Sequence, residues 1–216
     1  MTVTLDEILK YCNYLVNKSQ SADAISPDEF NSVLPIVNQE VFNRELNKLN
    51  RKHGKPFIDS YKDSYLQDCE AVLTSTPNST LLSKPADFER FLSGRARVGN
   101  EWHEMNITDT LDAFSPLDGV TTTQYLITIH YGDSFKFNKT VNEVNMIYIK
   151  RPASPYYAYT IVGYDYSYDH ANSRQFVWRD TLLPTIVNLI FEKMGINMKD
   201  QTDIQVSQIK KQDEKR

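Results

Sequence analysis

The sequence predicts an α+β fold: an N-terminal helical hairpin and a C-terminal helix packed with a small, mostly antiparallel β-sheet, followed by an extended C-terminal tail. Three observations predict it. Two segments near the start carry helix-capping signals ahead of apolar residues at helical spacing, the middle is rich in β-branched and aromatic residues, and one strongly apolar helical segment precedes a polar terminus. The 216 residues suffice for one domain over 1–198, with the hairpin at about 4–50, the β-rich middle at about 90–178, the helix at about 181–194 and a polar tail or docking segment at 199–216. A chain of this length buries roughly 70% of its unfolded surface and needs no staples.

The first helix opens on a capping box, Thr4 with Glu7, and continues through Leu5, Ile8, Leu9, Cys12, Leu15 and Val16 at helical spacing to an end near Ser19. A second begins at Ser26-Pro27-Asp28-Glu29, where serine caps, proline suits the first turn and both acids favour the positive end of the helix dipole. Its stripe is Phe30, Val33, Leu34, Val37 and Val41, continuing through Phe42 and Leu46, with Pro35 about two turns in as a point of bending. The short connection makes the pair a hairpin. Lys48, Arg51, Lys52 and Lys55 read as a solvated helix end before Gly54, with a DNA or acidic-partner contact as the alternative.

Beyond Phe57 the pattern predicts a short helix through Tyr61 to Cys69 and turns at Pro77-Asn78 and Lys84-Pro85. Arg95 to Val98, Gly99-Asn100 and Glu101 to Ile107 form a hairpin pattern whose tip is a candidate contact loop. Past a loop at ASPLDGVTT, three strands are expected at Tyr125 to Tyr131, Phe135 to Phe137 and Val144 to Ile149, with Gly132-Asp133 at a turn. YYAYTIVGYDYSY supplies a further strand or edge, and Arg174 to Trp178 another. Seven of the 13 tyrosines, Tyr148, Tyr156, Tyr157, Tyr159, Tyr164, Tyr166 and Tyr168, lie within 21 residues. An apolar face with a polar tip suits a half-buried sheet, a protein interface or a sugar platform.

The last helix starts near Asp180 or Thr181, carries Pro184 in its first turn and is capped by Gly195. Leu182, Leu183, Ile186, Val187, Leu189, Ile190, Phe191 and Met194 cover more than one stripe, so the helix is either central to its own core or pressed against a neighbouring subunit. The tail has only Ile204, Val206 and Ile209 as apolar anchors, and its order would require a partner. The candidate interface residues are therefore Leu182, Ile186, Leu189, Phe191, Ile204, Ile209, Tyr164 and Tyr166.

A net charge of -4 and a pI near 5.6 argue against broad nonspecific contact with nucleic acid. Cys12 and Cys69 read as core thiols rather than a disulfide, which suits a reducing cytoplasm. The N-terminus has no long apolar segment and no stretch of about 18 apolar residues occurs, so neither secretion nor membrane spanning is indicated. The densest group of potential ligands or acid/base residues is Glu101-Trp102-His103-Glu104, but on a strand His103 faces away from Trp102 and Glu104. His53, His130 and His170 are scattered, His170 beside Asp165 and Asp169 reads as a solvated turn, and no metal, phosphate-loop or GxSxG motif occurs. No catalytic residue, metal ligand or cofactor is expected.

Three stretches, Ser26 to Leu46 (SPDEFNSVLPIVNQEVFNREL), Val144 to Tyr159 (VNMIYIKRPASPYYAY) and Phe176 to Lys211 (FVWRDTLLPTIVNLIFEKMGINMKDQTDIQVSQIKK), together resemble virion structural proteins of tailed phages infecting Bacteroidetes, including crAss-like phages. They cover roughly a third of the chain; residues 51 to 135 carry no such likeness. The resemblance implies a non-enzymatic connector or adaptor, made in the host cytoplasm and residing in the virion. By analogy with portal symmetry it would form a homo-oligomeric ring of about twelve copies between portal and tail. The implied partners are itself, the portal and neighbouring tail or connector proteins, with double-stranded DNA passing through the channel without sequence-specific binding and no membrane. The other readings are a receptor- or carbohydrate-binding virion module that uses the tyrosines, and an enzyme centred on His103 or His170.

Overall fold

A computed structural model describes residues 3–19, 24–51, 65–108 and 126–196. The fold is α+β, and the chain divides into two compact units. Unit 1 comprises Met1–His53 and Pro152–Arg216, and unit 2, Gly54–Arg151, is inserted between them.

In unit 1, α1 (Leu5–Ser19) starts where its capping box places it. The Thr4 backbone N–H donates to Glu7 Oε2 at 2.8 Å and the Glu7 N–H donates to Thr4 Oγ1 at 3.3 Å. The same device opens α2 (Pro27–Arg51), with the Ser26 N–H on Glu29 Oε2 at 2.9 Å and the Glu29 N–H on Ser26 Oγ at 3.3 Å. Helix α2 runs past Pro35 without interruption, and its predicted stripe from Phe30 to Phe42 is buried. Residues 20–23 of the connection between these helices lie outside the described residues, but Asn13 of α1 holds the segment that leads into α2. Its side chain accepts from the Ile25 N–H at 2.6 Å and donates to the Ile25 carbonyl at 3.2 Å.

A 3₁₀ helix, Asp180–Leu182, leads into α3 (Leu183–Lys193), which ends in a Schellman motif at Gly195, with the Ile196 N–H on the Phe191 carbonyl at 2.9 Å. Helix α3 packs against α2. Ile186, Val187, Leu189, Ile190 and Phe191 are all buried, each contributing roughly 1.5–3 kcal/mol of transfer free energy. Lys193 Nζ bridges the two helices by donating to Glu40 Oε2 at 2.6 Å, and this bond, with a second from Arg44, lowers the Glu40 pKa. The two-stranded hairpin β9 (Tyr159–Val162) and β10 (Asp165–Tyr168) completes the regular structure among the described residues of this unit. The strand expected at Arg174 to Trp178 does not form: Arg174 makes one isolated bridge with Tyr156, and the segment is otherwise held by side chains.

The described residues of unit 2 form a sandwich of two four-stranded sheets. The first has the order β1-β8-β3-β4 and the second β2-β7-β6-β5, the strands being β1 (Glu70–Ser75), β2 (Ser79–Ser83), β3 (Phe88–Val98), β4 (Glu101–Glu104), β5 (Asn106–Thr108), β6 (Ile127–Tyr131), β7 (Ser134–Val141) and β8 (Glu143–Lys150). All pairs are antiparallel except β5 with β6. Their facing sides supply a shared core of Ala96, Met146 and Tyr148 from one sheet and Leu82, Phe135 and Phe137 from the other. The hairpin expected at 95–107 forms, but its second arm breaks at Met105. There the Met105 N–H donates to the Gly94 carbonyl at 2.9 Å, the side chain enters the core, and β5 continues in the opposite sheet. The helix expected from Tyr61 is a 3₁₀ turn, Tyr65–Cys69, and residues 61–64 lie outside the described residues. Cys12 and Cys69 are buried free thiols in different units, each pushed up to about 12 by burial.

Two substitutions test this packing. A Cβ at Gly94 would meet Met105 Sδ and Phe91 Cε2 at 3.0 Å and Met146 Cβ at 3.1 Å. Gly94→Ala is therefore expected to destabilise unit 2 by about 1–3 kcal/mol. In unit 1, Asn38 Oδ1 accepts from the Trp178 indole N–H at 2.9 Å and its amide donates to the Ala153 carbonyl at 3.3 Å. Asn38→Leu leaves both groups unpaired, and a loss of about 1–3 kcal/mol is expected. Urea unfolding of each variant measures both, and an unchanged midpoint would refute the packing described.

Candidate interaction surface

The hairpin β9–β10 forms because Thr160, Ile161 and Val162 favour extended backbone and because Gly163, at φ 68°, makes a two-residue turn with Tyr164. Its register pairs Tyr159 with Tyr168 and Ile161 with Tyr166, so these four side chains share one face. Thr160, Val162, Asp165 and Ser167 occupy the other.

The tyrosines on the first face form a ladder that runs from the core to solvent. At its base Tyr157 is buried, edge-on to Phe30 at 5.9 Å between centroids, and tilted against Tyr168 at 4.8 Å. Tyr159 follows, meeting Tyr166 edge-to-face at 5.2 Å. At the top Tyr166 is half exposed and Tyr164 is fully exposed, beside Ile161 and Val162, which are 68% and 64% exposed.

Hydrogen bonds tie this ladder to the N-termini of both helices. The Tyr157 hydroxyl donates to Asp6 at 3.2 Å and the Tyr159 hydroxyl to Asp28 at 2.7 Å, both acids lying in first turns. Gln175 donates to the Tyr168 hydroxyl at 2.6 Å while its carbonyl accepts from the Leu5 N–H at 2.7 Å. Asn31 clamps the backbone of Tyr157 with two bonds, at 2.8 and 2.9 Å. The hairpin therefore projects an apolar and aromatic tip from a rigid base, which is the form of a docking element.

The predicted interface residues separate into three groups. Tyr164 and Tyr166 stand on this surface. Leu182, Ile186, Leu189 and Phe191 do not: they are 6%, 3%, 1% and 1% exposed within the chain itself. The breadth of the apolar surface on α3 is taken up by its own chain, with α2 as one packing partner. Ile204 and Ile209, like the whole segment 199–216, lie outside the described residues. Sequence reasoning missed Ile161 and Val162 as surface residues. The signal was there in the two-residue glycine turn, which leaves a hairpin of four-residue strands too short to bury both faces.

The other candidates give no assembled chemistry. His103 pairs with Ala96 across β4 and lies on the core side, with Glu101 at 4.0 Å, while Glu104 lines the outer face. His130 packs against Phe135 at 5.2 Å, His170 approaches the Tyr168 hydroxyl at 3.5 Å, and His53 lies outside the described residues. Asp169 spends its carboxylate on the N–H groups of Ala171 and Asn172 and on the Asn172 amide, which lowers its pKa. Lys48 pairs with Glu45; the Arg51 side chain, Lys52 and Lys55 are not among the described residues. Among the described residues no group of three His, Cys, Asp or Glu could hold a metal ion, and no helix is long and apolar enough to cross a membrane. No protein-family model matches the chain, and no curated protein matches it in sequence.

The base of the ladder makes unit 1 sensitive to alkali. Burial, with Asp6 as the second cause, pushes the Tyr157 hydroxyl from 10.0 up to about 12. A raised pKa in the folded state means that this group's contribution is intact below pH 10 and is lost as pH rises through about 12. Urea unfolding across that window is expected to show falling stability, with a shallower fall in Tyr157→Phe. Equal slopes in the two proteins would disprove the role given to Tyr157.

Proposed function

We propose that this protein is a structural subunit of a tailed-phage virion, one of the copies forming a connector or adaptor ring that joins portal to tail and surrounds part of the DNA channel. The observation that carries this reading is the β9–β10 hairpin: Ile161, Val162, Tyr164 and Tyr166 face solvent on an element whose base is fixed to two helix N-termini. A hairpin fixed at its base suits repeated protein contacts, since its backbone need not be ordered on docking. The likeness of the stretches at 26–46, 144–159 and 176–211 to virion structural proteins supplies the setting. In that setting the protein works by contact, and DNA passes it without being read.

A second reading uses the same residues. Fully exposed Tyr164 beside half-exposed Tyr166 offers ring faces on which a sugar could stack, as in a receptor- or carbohydrate-binding virion module.

Light scattering of the full chain, alone and mixed with purified portal protein, separates the two. The connector reading predicts a discrete ring complex that Tyr164→Ser with Ile161→Asp weakens. A 25.0 kDa monomer indifferent to portal would sink it. Glycan binding abolished by Tyr164→Ala or Tyr166→Ala would then establish the alternative.

A further inference from the structure

We propose that the reverse face of the β9–β10 hairpin of one copy docks on the outer face of the β1-β8-β3-β4 sheet of a second copy, with Asp165 meeting Arg95. This rests on the ring reading and adds to it the two surfaces that join neighbours.

The hairpin side of the contact is the face opposite the tyrosine ladder. Val162 and Asp165 are directly paired across the strands there, and Thr160 and Ser167 flank them, all four exposed. The Asp165 carboxylate has no hydrogen bond or ion pair among the described residues. An apolar side chain and a free carboxylate thus stand side by side on a protruding element.

The sheet side has the complementary pair. A shallow groove crosses the outer face, lined by Val72, Arg95, Glu104, Asn145 and Ile147, and Val72 is 68% exposed. The Arg95 guanidinium lies 4.8 Å from the Trp102 ring centroid and has no carboxylate within ion-pair distance among the described residues. Its place over the indole ring positions the guanidinium, which can grip an incoming carboxylate with two parallel bonds. Val72 and Ile147 offer Val162 an apolar seat beside it. Glu104, on the rim, can accept a hydrogen bond from the hydroxyl of Tyr164.

Both halves of the match belong to one chain, so a second copy suffices as partner. The two surfaces differ, and each subunit would give its hairpin to one neighbour and its groove to another. That head-to-tail arrangement generates a closed ring when the rotation per step divides a full turn.

The test is made on the full chain with Val162→Cys and Val72→Cys prepared separately, since these short side chains would meet directly and the native thiols are buried. Mixed and mildly oxidised, the two are expected to give a disulfide-linked dimer well in excess of that from either alone. In parallel, Asp165→Arg and Arg95→Asp should each weaken self-association at low salt by about tenfold or more, and the double variant should restore it. An oligomer that yields no mixed cross-link and ignores both reversals overturns the docking and leaves the ring reading standing. A chain that neither cross-links nor assembles, alone or with portal, overturns both.

Discussion

Unit 1 depends on asparagines that stand in for backbone. Residues 152–158 and 169–178 have almost no regular structure, yet Tyr157, Ala158, Phe176 and Trp178 within them are buried. Their peptide groups and the Trp178 indole therefore need partners that no strand supplies. Asn31 and Asn38, seven residues apart and so on one face of α2, provide several of them: one clamps both backbone groups of Tyr157, the other joins the Ala153 carbonyl to Trp178. A side-chain amide has the same donor and acceptor as a peptide and can satisfy an irregular chain where a sheet cannot.

From that clamp the surface follows by steps. Asn31 fixes the backbone of Tyr157, which fixes its ring against Phe30 and Tyr168, and the Tyr168 ring sits at the open end of the hairpin, farthest from the turn. The acids that favour the two helix dipoles, Asp6 and Asp28, double as acceptors for Tyr157 and Tyr159. Each rung outward has fewer partners and more solvent until Tyr164 has solvent on every side. Fold and interface are thus two ends of one stack, which is why Tyr157, Tyr159, Tyr164, Tyr166 and Tyr168 resist assignment to either role as a group, while Tyr148 belongs to the core of unit 2.

What could be read from the sequence was local. Thr4 with Glu7, Ser26 before Pro27, and Gly195 after the last helix each act within a turn, and all three stand where their chemistry places them. The glycine turns at 99 and 132 were legible for the same reason, whereas YYAYTIVGYDYSY reads as one strand or edge and is in fact split at Gly163 into the hairpin β9–β10. Strands β1 and β2 were not: EAVLTS and STLLS are weakly β-forming by composition, and β1 owes its state to β8, with Glu70 opposite Ile149. The change of sheet at Met105 has no local signal either, because it is decided by the close approach of Gly94. On α3 the excess of apolar residues was visible, but whether a chain covers such a surface itself or leaves it for a neighbour is a tertiary fact.

The insertion of unit 2 within unit 1 sets an order on biosynthesis. Residues 54–151 bring all their own sheet partners with them and can close as soon as they leave the ribosome. Helix α2 cannot: Trp178, Phe191 and the rest of its cover emerge more than a hundred residues later. During that interval the stripe from Phe30 to Phe42 faces water and the sites on Asn31 and Asn38 stand empty. The nascent chain thus carries a sticky amphipathic helix through most of its translation.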